Sequence, residues 1–256
     1  MFAEERREKI LELLQTHKRV LAKELAEIFD VSVDSIRRDL SIMEKQGLLK
    51  KTHGGAIPGS KVRRMPPSPS LRYTKEGSPH TNAIAKLAAS YIEEGDTIFI
   101  GSAAIHYDML KFLPQKMPFT VVTHSIQIAE ALRDIECIDT YLIGGKVKRS
   151  GSITDALANE FVRHFSIDLS FATGGGISEN GISTATPEVA SFGRAINEVS
   201  RRKICLASHD KLGIDMFAKI VPIHHVDLVI TDEQADQDAI QKIQDKGVKV
   251  IIAKVE

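Results

Sequence analysis

Apolar residues recur at helical spacing three times in the first 46 positions. Ile10, Leu13 and Leu14 stand at i, i+3, i+4 in a segment from Glu4 to about His17. Acids come early in it and Lys18 and Arg19 follow its end, as a helix dipole favours. Ala22, Leu25, Ala26 and Phe29 make an i, i+3, i+4, i+7 stripe that predicts a second helix over Ala22–Phe29. Asp30-Val31-Ser32 breaks the pattern, and Ser32 is a good N-cap. Val33, Ile36, Leu40 and Met43 then mark a third helix from Val33 to about Gln46, ended by Gly47. Residues 48–57 read as two short strands around a glycine turn.

Farther along the pattern alternates. Short β-branched runs fall at Thr97–Ile100, Phe119–Thr123, Thr140–Ile143, Leu169–Thr173, Lys203–Ala207, Leu228–Thr231 and Lys249–Ile252. Helical patterns lie between them, at Ile84–Ile92, Ile126–Arg133, Ala156–Phe165, Pro187–Arg201 and Asp236–Lys246. This alternation predicts an α/β domain with a mainly parallel sheet covered on both faces. Five of the nine prolines crowd into residues 57–79 among glycines and serines, a composition that stiffens a connector. The expected organisation is a head over residues 1–57, a Pro-rich linker over 58–78 and a body over 79–256. No internal repeat is evident.

The 256 residues are 43% hydrophobic and 27% charged, enough for a real core. Aromatics are 5% and Trp is absent, which argues against a carbohydrate-stacking surface. Cys137 and Cys205 are the only cysteines, so neither a disulfide framework nor a cysteine-rich zinc site is expected, and a reducing, cytoplasmic setting fits. Met1 is followed by Glu4, Glu5, Arg6 and Arg7 rather than an apolar run, so no secretory leader is expected. No apolar stretch approaches the ~18 residues of a membrane span.

A net charge of zero hides an asymmetry. Residues 1–34 carry 6 basic and 8 acidic side chains; residues 35–64 carry 8 basic and 2 acidic, a net of +6. Such a basic stretch suits nucleic acid. Two short helices joined by three residues suit a helix-turn-helix, whose second helix enters a major groove. Ser35, Arg37 and Arg38 are its exposed polar residues, flanked by Ser32 and Ser41. Arginine's donor fork matches guanine O6 and N7, a contact worth ~1–3 kcal/mol of discrimination. Lys50, Lys51 and His53 on the hairpin are placed for phosphates or a minor groove.

Residues 3–57 resemble the N-terminal winged helix of the DeoR family of bacterial transcription regulators. The resemblance rests on Arg6-Arg7-Glu8-Lys9-Ile10, Val31-Ser32, Ser35-Ile36-Arg37-Arg38-Asp39-Leu40, Gly47-Leu48-Leu49 and His53-Gly54-Gly55-Ala56. Gly95-Asp96-Thr97-Ile98-Phe99, Val121-Val122-Thr123, Gly144-Gly145, Gly181-Ile182-Ser183-Thr184 and Ile230-Thr231-Asp232 resemble the family's effector domain. The resemblance implies a repressor of a sugar-catabolic operon, released by a phosphorylated sugar. It also implies a body related in fold to ribose-phosphate isomerases. Operator DNA, a small-molecule effector and further copies of the chain are the implied partners; no membrane, cofactor or metal is.

The body's own residues agree. Its predicted strands end in small polar residues or glycines, and in a parallel sheet those ends form the ligand crevice. Ser102 and His106 follow the first run; Thr123, His124 and Ser125 the second; Gly144 and Gly145 the third; Gly174, Gly175 and Gly176 the fourth; Ser208 the fifth. Lys148, Arg149 and Lys211 are the cations near these loops, with Lys211 expected as the main charge partner of an anionic effector. Where the family commonly has an acid, glycine and paired threonines, this chain has Gly101-Ser102-Ala103-Ala104-Ile105-His106, and His124 replaces a usual asparagine. His106 and His124 are therefore expected to donate to the effector, with affinity falling from pH 6 to 8 as they lose protons. No nucleotide-binding or zinc-protease signature occurs. His106 with Asp108, or His209 with Asp210, leaves the alternative of an isomerase- or deaminase-like enzyme with an added basic head. A purely architectural DNA protein would not need the crevice.

Overall fold

The computed structural model describes residues 3–17, 19–45, 48–58 and 77–255. Contacts divide the chain into two units, Met1–Arg64 and Met65–Glu256. The expected linker lies outside the described residues except for Pro58, Gly77 and Ser78, as does Gly47.

In the first unit, α1 (Ala3–His17), α2 (Ala22–Phe29) and α3 (Val33–Lys45) accompany a small antiparallel sheet. Its strands are β1 (Val20–Leu21), β2 (Leu49–Thr52) and β3 (Gly55–Pro58), in the order β1-β3-β2. The predicted stripes meet in one core: Ile10, Leu25, Ile36, Leu40 and Met43 are almost wholly buried. Leu13, Phe29 and Val33 stay at its margin. Asp30 makes the turn between α2 and α3 by adopting a left-handed conformation, φ 50°, which aspartate tolerates. Ser32 then caps α3, accepting from the Ser35 N–H at 3.1 Å. Gly55 is required by close approach, because a Cβ there would meet the Val20 carbonyl of β1. A buried ion pair ties α1 to α3: Arg6 Nε stands 2.7 Å and Arg7 Nε 3.7 Å from the carboxylate of Asp39.

The second unit begins with α4 (Pro79–Ala89), capped by Ser78, which accepts from the Thr81 N–H. Next come β4 (Thr97–Ile100), α5 (Ala104–Met109), β5 (Phe119–Thr123), α6 (Ile126–Leu132) and β6 (Ile138–Leu142). They are followed by α7 (Ala156–Val162), β7 (Ile167–Ala172), β8 (Gly176–Ser178), β9 (Gly181–Thr184) and α8 (Pro187–Val199). The chain closes with β10 (Ser200–Leu206), β11 (Ala218–Val221), β12 (Leu228–Asp232), α9 (Gln237–Gln244) and β13 (Lys249–Ala253). Seven strands form a parallel sheet in the order β13-β12-β10-β7-β4-β5-β6. One face buries Ile98, Ile100, Phe171, Ile204 and Ile230 beneath α4, α5 and α6; the other is covered by α7, α8 and α9. Among the described residues no helix is long and apolar enough to cross a membrane.

Five elements differ from expectation, among them the two-residue β1 of the head. β8, β9 and β11 form a second, antiparallel sheet that the apolar runs did not announce. α5 occupies the loop after β4, where six residues are too few for a periodic stripe. The sheet's topology locates the site. β5 and β6 are added on one side of β4, and β7, β10, β12 and β13 on the other. The strand order therefore reverses between β4 and β7, and a ligand crevice belongs at their carboxyl ends.

Candidate functional site

α3 presents Arg37 and Arg38 to solvent. Arg37 Nη1 is 3.1 Å from Asp34 Oδ1, but both side chains are more than 60% exposed, so the pair is weak and Arg37 can exchange it for a base or phosphate. Arg38 makes no ion pair or hydrogen bond among the described residues. The other expected DNA contacts divide. Lys50 and His53 are exposed on the hairpin. Ser32 and Ser35 are occupied with the α3 cap, their hydroxyls 2.9 Å apart. Ser41 donates to the Arg37 carbonyl and accepts from Lys51 Nζ at 2.6 Å, while the Lys51 N–H donates to Glu44 Oε1. Lys51 and Ser41 thus fasten the wing to the recognition helix. Arg38, Lys50 and His53 remain exposed, and Arg37 is held only by its exposed pair with Asp34.

In the body, the expected effector residues lie at or beyond the carboxyl ends of strands of the large sheet, from β6 across to β10, with Thr123 ending β5 and Gly176 opening β8. Their chemistry there differs in part from expectation. His106 projects from α5 across the reversal point, and its Nε2 lies 2.9 Å from the Phe171 carbonyl of β7. A carbonyl only accepts, so Nε2 carries the proton, and Nδ1 accepts from the Ala103 N–H at 3.3 Å. Both nitrogens are spent inside the protein. Burial is the main force lowering the His106 pKa from 6.5 to about 4; the bond to Phe171 opposes it and the charge of Lys211 adds to it.

His124, after β5, is stacked on Phe99 with ring centroids 5.6 Å apart and edge-on to Phe192 at 4.8 Å. Burial, then His106, then Lys148 push its pKa down to about 3. Its Nε2 is 3.0 Å from Ser102 Oγ, and its buried Nδ1 has no partner among the described residues. An orphan N–H costs more than an orphan lone pair, which assigns the proton to Nε2 and makes Ser102 the acceptor. The Ser102 hydroxyl hydrogen is then free to be donated outward. Both imidazoles pack beneath Gly101, where a Cβ would come within 2.8 Å of His106 Cε1 and 3.4 Å of His124 Cε1. The expectation that these histidines donate to the effector, with affinity falling between pH 6 and 8, is corrected: both are neutral throughout that range.

Other expected residues are also engaged locally. Thr123 Oγ1 accepts from the Ser125 N–H, and Ser125 caps α6 and is 2.7 Å from the Tyr107 hydroxyl. Gly144 and Gly145 follow the edge strand β6, where Asp155 accepts from the Lys146 N–H. Lys148 is paired with Glu188 at 3.1 Å. Gly174 and Gly176 admit the protein's own backbone, since a Cβ would strike Ser183 O or Ile214 O. Ser208 donates to Asp210 Oδ1 at 2.5 Å. Lys211 is the exception. Half-buried after β10, it has no ion pair or side-chain hydrogen bond among the described residues, and its charge reaches His106 and Cys205. Burial raises the Cys205 thiol to about 12, which makes it inert.

The sequence reading placed Asp232 in a family-like run but gave it no role in the site. It is completely buried at the end of β12 and holds His209, which had been paired on adjacency with Asp210. A polar Thr-Asp ending a wholly apolar strand was the available signal.

Residues 6–61 match the DeoR-like helix-turn-helix domain, and residues 78–233 match the DeoR C terminal sensor domain. The transcriptional repressor GlcR of Bacillus subtilis is 32% identical over 98% of this chain and 97% of its own length. The transcriptional regulator GolR of Listeria innocua is 30% identical over 99% of this chain and all of its own. Among solved structures, ribose 5-phosphate isomerase A of Methanocaldococcus jannaschii is 11% identical, with a TM-score of 0.36 over 51% of this chain and 52% of that one.

Proposed function

The chain belongs to the DeoR family of transcription regulators, and we propose that it represses a sugar or polyol catabolic operon until a sugar-phosphate-like effector releases it. It is a DNA-binding regulator and not an enzyme, so the isomerase-like alternative falls away. Repression is supported by the Bacillus subtilis relative, named a transcriptional repressor, and by an Escherichia coli relative whose name assigns it repression of the aga operon.

One observation carries the effector class: Lys211 stands unpaired among the described residues beside the point where the strand order reverses. A half-buried cation without a counter-ion is costly unless an anion completes it. Lys211 follows β10 and Ser102 follows β4, and β7 lies between those two strands. A phosphate on Lys211 with a hydroxylated chain toward Ser102 suits that order. Gly175 and Thr173, both partly exposed after β7, lie between them.

Two half-sites are read by two heads, so the working form is a homo-oligomer acting in the cytoplasm. The test is fluorescence anisotropy of labelled duplexes from upstream of the gene and its neighbours. Tight, salt-sensitive binding reversed by ribose 5-phosphate, fructose 6-phosphate or glucose 6-phosphate is expected. Binding that no phosphorylated sugar reverses refutes the effector class.

A further inference from the structure

We propose that His209 is a specificity-determining residue of the crevice, whose Nε2 accepts a hydrogen bond from an effector hydroxyl beside the anion bound by Lys211. The proposal rests on the effector class inferred above. It begins with Asp232, which is fully buried. Its Oδ2 accepts from the His209 backbone N–H at 2.8 Å, and its Oδ1 accepts from the Gln234 N–H at 3.0 Å and from His209 Nδ1 at 2.8 Å. One carboxylate thus grips both the backbone and the ring of His209, which fixes its position and its rotamer.

The grip also fixes the tautomer. A carboxylate accepts, so Nδ1 carries a proton, and a ring holding that one proton has its lone pair on Nε2. Nε2 has no partner among the described residues, and the side chain is 36% exposed. On the α4 side, His80 closes against the ring edge-on, with centroids 5.7 Å apart and planes at 82°. Its Nδ1 is 4.0 Å from Asp232 Oδ1, too far for a hydrogen bond. The ring is walled there and open only outward. His106 provides the contrast: a histidine that serves only to brace the fold uses both nitrogens and is buried. His209 is braced by one and presents the other.

Lys211 lies two residues away in the same turn, its N–H donating to the Ser208 carbonyl. A cation and a hydrogen-bond acceptor two residues apart in one turn discriminate. Phosphate oxygens pair with the lysine but repel the Nε2 lone pair. A hydroxyl on a neighbouring carbon satisfies it. The pair therefore selects a polyhydroxylated phosphate ester over a bare one. Among the described residues no group of three ligating side chains could hold a metal, so hydrogen bonding is the chemistry the cluster offers.

The experiment is calorimetric titration of the full-length protein with ribose 5-phosphate, fructose 6-phosphate and glucose 6-phosphate, and with methyl phosphate as the hydroxyl-free probe. His209→Asn keeps a donor toward Asp232 and deletes the Nε2 acceptor. It should lose roughly 10-fold in affinity for the preferred sugar phosphate and leave methyl phosphate unchanged. His209→Gln, whose amide oxygen reaches toward the Nε2 position, should recover much of the loss. Unaltered effector-free operator affinity shows that both variants fold. The proposal is overturned if His209→Asn binds the sugar phosphate as well as wild type, if it weakens both probes equally, or if the Gln and Asn variants lose the same amount. If wild type binds no phosphate ester at all, the effector class itself fails and takes this proposal with it.

Discussion

His106 Nε2 lies 2.9 Å from the carbonyl oxygen of Phe171, so the loop after β4 is bolted to β7 across the point where the strand order reverses. The two strands that frame the crevice are thereby held by a side chain from one and a backbone group of the other. The neutral ring makes both of its contacts, Nε2–H to Phe171 and Nδ1 from the Ala103 N–H; protonating Nδ1 keeps the first, breaks the second and puts a charge in a buried place.

That requirement sets a pH dependence. In the unfolded chain His106 and His124 take up protons near pH 6.5; in the fold they do so near 4 and 3. Below about pH 6.5 the unfolded state binds more protons, so stability falls as pH drops toward 4 and is unaffected by these groups above 6.5. Each histidine held neutral contributes a loss of up to about 1.4 kcal/mol per pH unit in that window. Urea unfolding of the full chain at pH 7.5, 6 and 5 should show the body's transition moving to lower urea on acidification. His106→Gln, which can still donate to Phe171, should flatten that trend. A body transition independent of pH from 7.5 to 5 would contradict the assignment.

The head separates recognition from architecture within five consecutive residues, Ile36 to Leu40. Arg38→Ala should cut affinity for the specific site by roughly 10-fold or more, because it removes a donor fork that has no other engagement among the described residues. Lys50→Ala should weaken binding to all duplexes alike and reduce the slope of log affinity against log salt by about 1. Lys51→Ala should do less than Lys50→Ala, since Lys51 is spent on Ser41. Anisotropy titrations at several salt concentrations distinguish the three.

Asp39 should behave oppositely to its neighbour. Its carboxylate is 5% exposed and meets Arg6, itself only 11% exposed. Asp39→Ala leaves a nearly buried guanidinium without its partner, a loss of about 3 kcal/mol. The prediction is accelerated amide exchange in α1 and α3, with DNA binding lost through unfolding and recovered at low temperature. If Asp39→Ala is as stable as wild type but cannot bind DNA, Asp39 acts at the interface instead.

These contrasts show what could be read from the sequence. Helical stripes and β-branched runs placed α2, β4 and β5 to the residue, because each buries one face or both faces of a regular element. Elements without such a pattern were missed: β1 has two residues, β8 and β9 are short strands rich in glycine and hydroxyl residues, and β11 is only four residues long. The site was legible as a place, since parallel strands deliver their carboxyl ends to one edge. It was not legible as chemistry. His106 and His124 look like exposed donors in a list of loop residues, and only burial reveals them as neutral braces. The partner of His209 is 23 residues away on another strand, which adjacency to Asp210 conceals.

Assembly is a separate expectation. A single winged helix covers one half-site, so the full-length protein should be an oligomer at micromolar concentration by light scattering. It should bind a duplex with two half-sites far more tightly than one with a single half-site. A monomer that binds both duplexes equally would overturn the expectation.

The last prediction sets two lysines against each other. Lys148 and Lys211 both follow strand ends on the crevice side, and the sequence reading favoured Lys211 as the effector's main charge partner. Lys148 Nζ is 3.1 Å from Glu188 Oε1, and the same oxygen accepts from Thr154 Oγ1 at 3.3 Å. An anion binding there would have to displace a carboxylate already in place. Lys211 has no such competitor among the described residues, and its charge already reaches His106 beneath the reversal point. Lys211→Ala should therefore abolish release from DNA by any phosphorylated sugar and leave operator affinity unchanged. Lys211→Arg should retain part of the response, because the charge persists while its reach and geometry change. Lys148→Ala should shift the effector concentration for half-release by no more than about 3-fold, in keeping with a partly exposed pair worth under about 1 kcal/mol. A full response in Lys211→Ala together with none in Lys148→Ala would move the anion site to the β5–β6 side of the sheet.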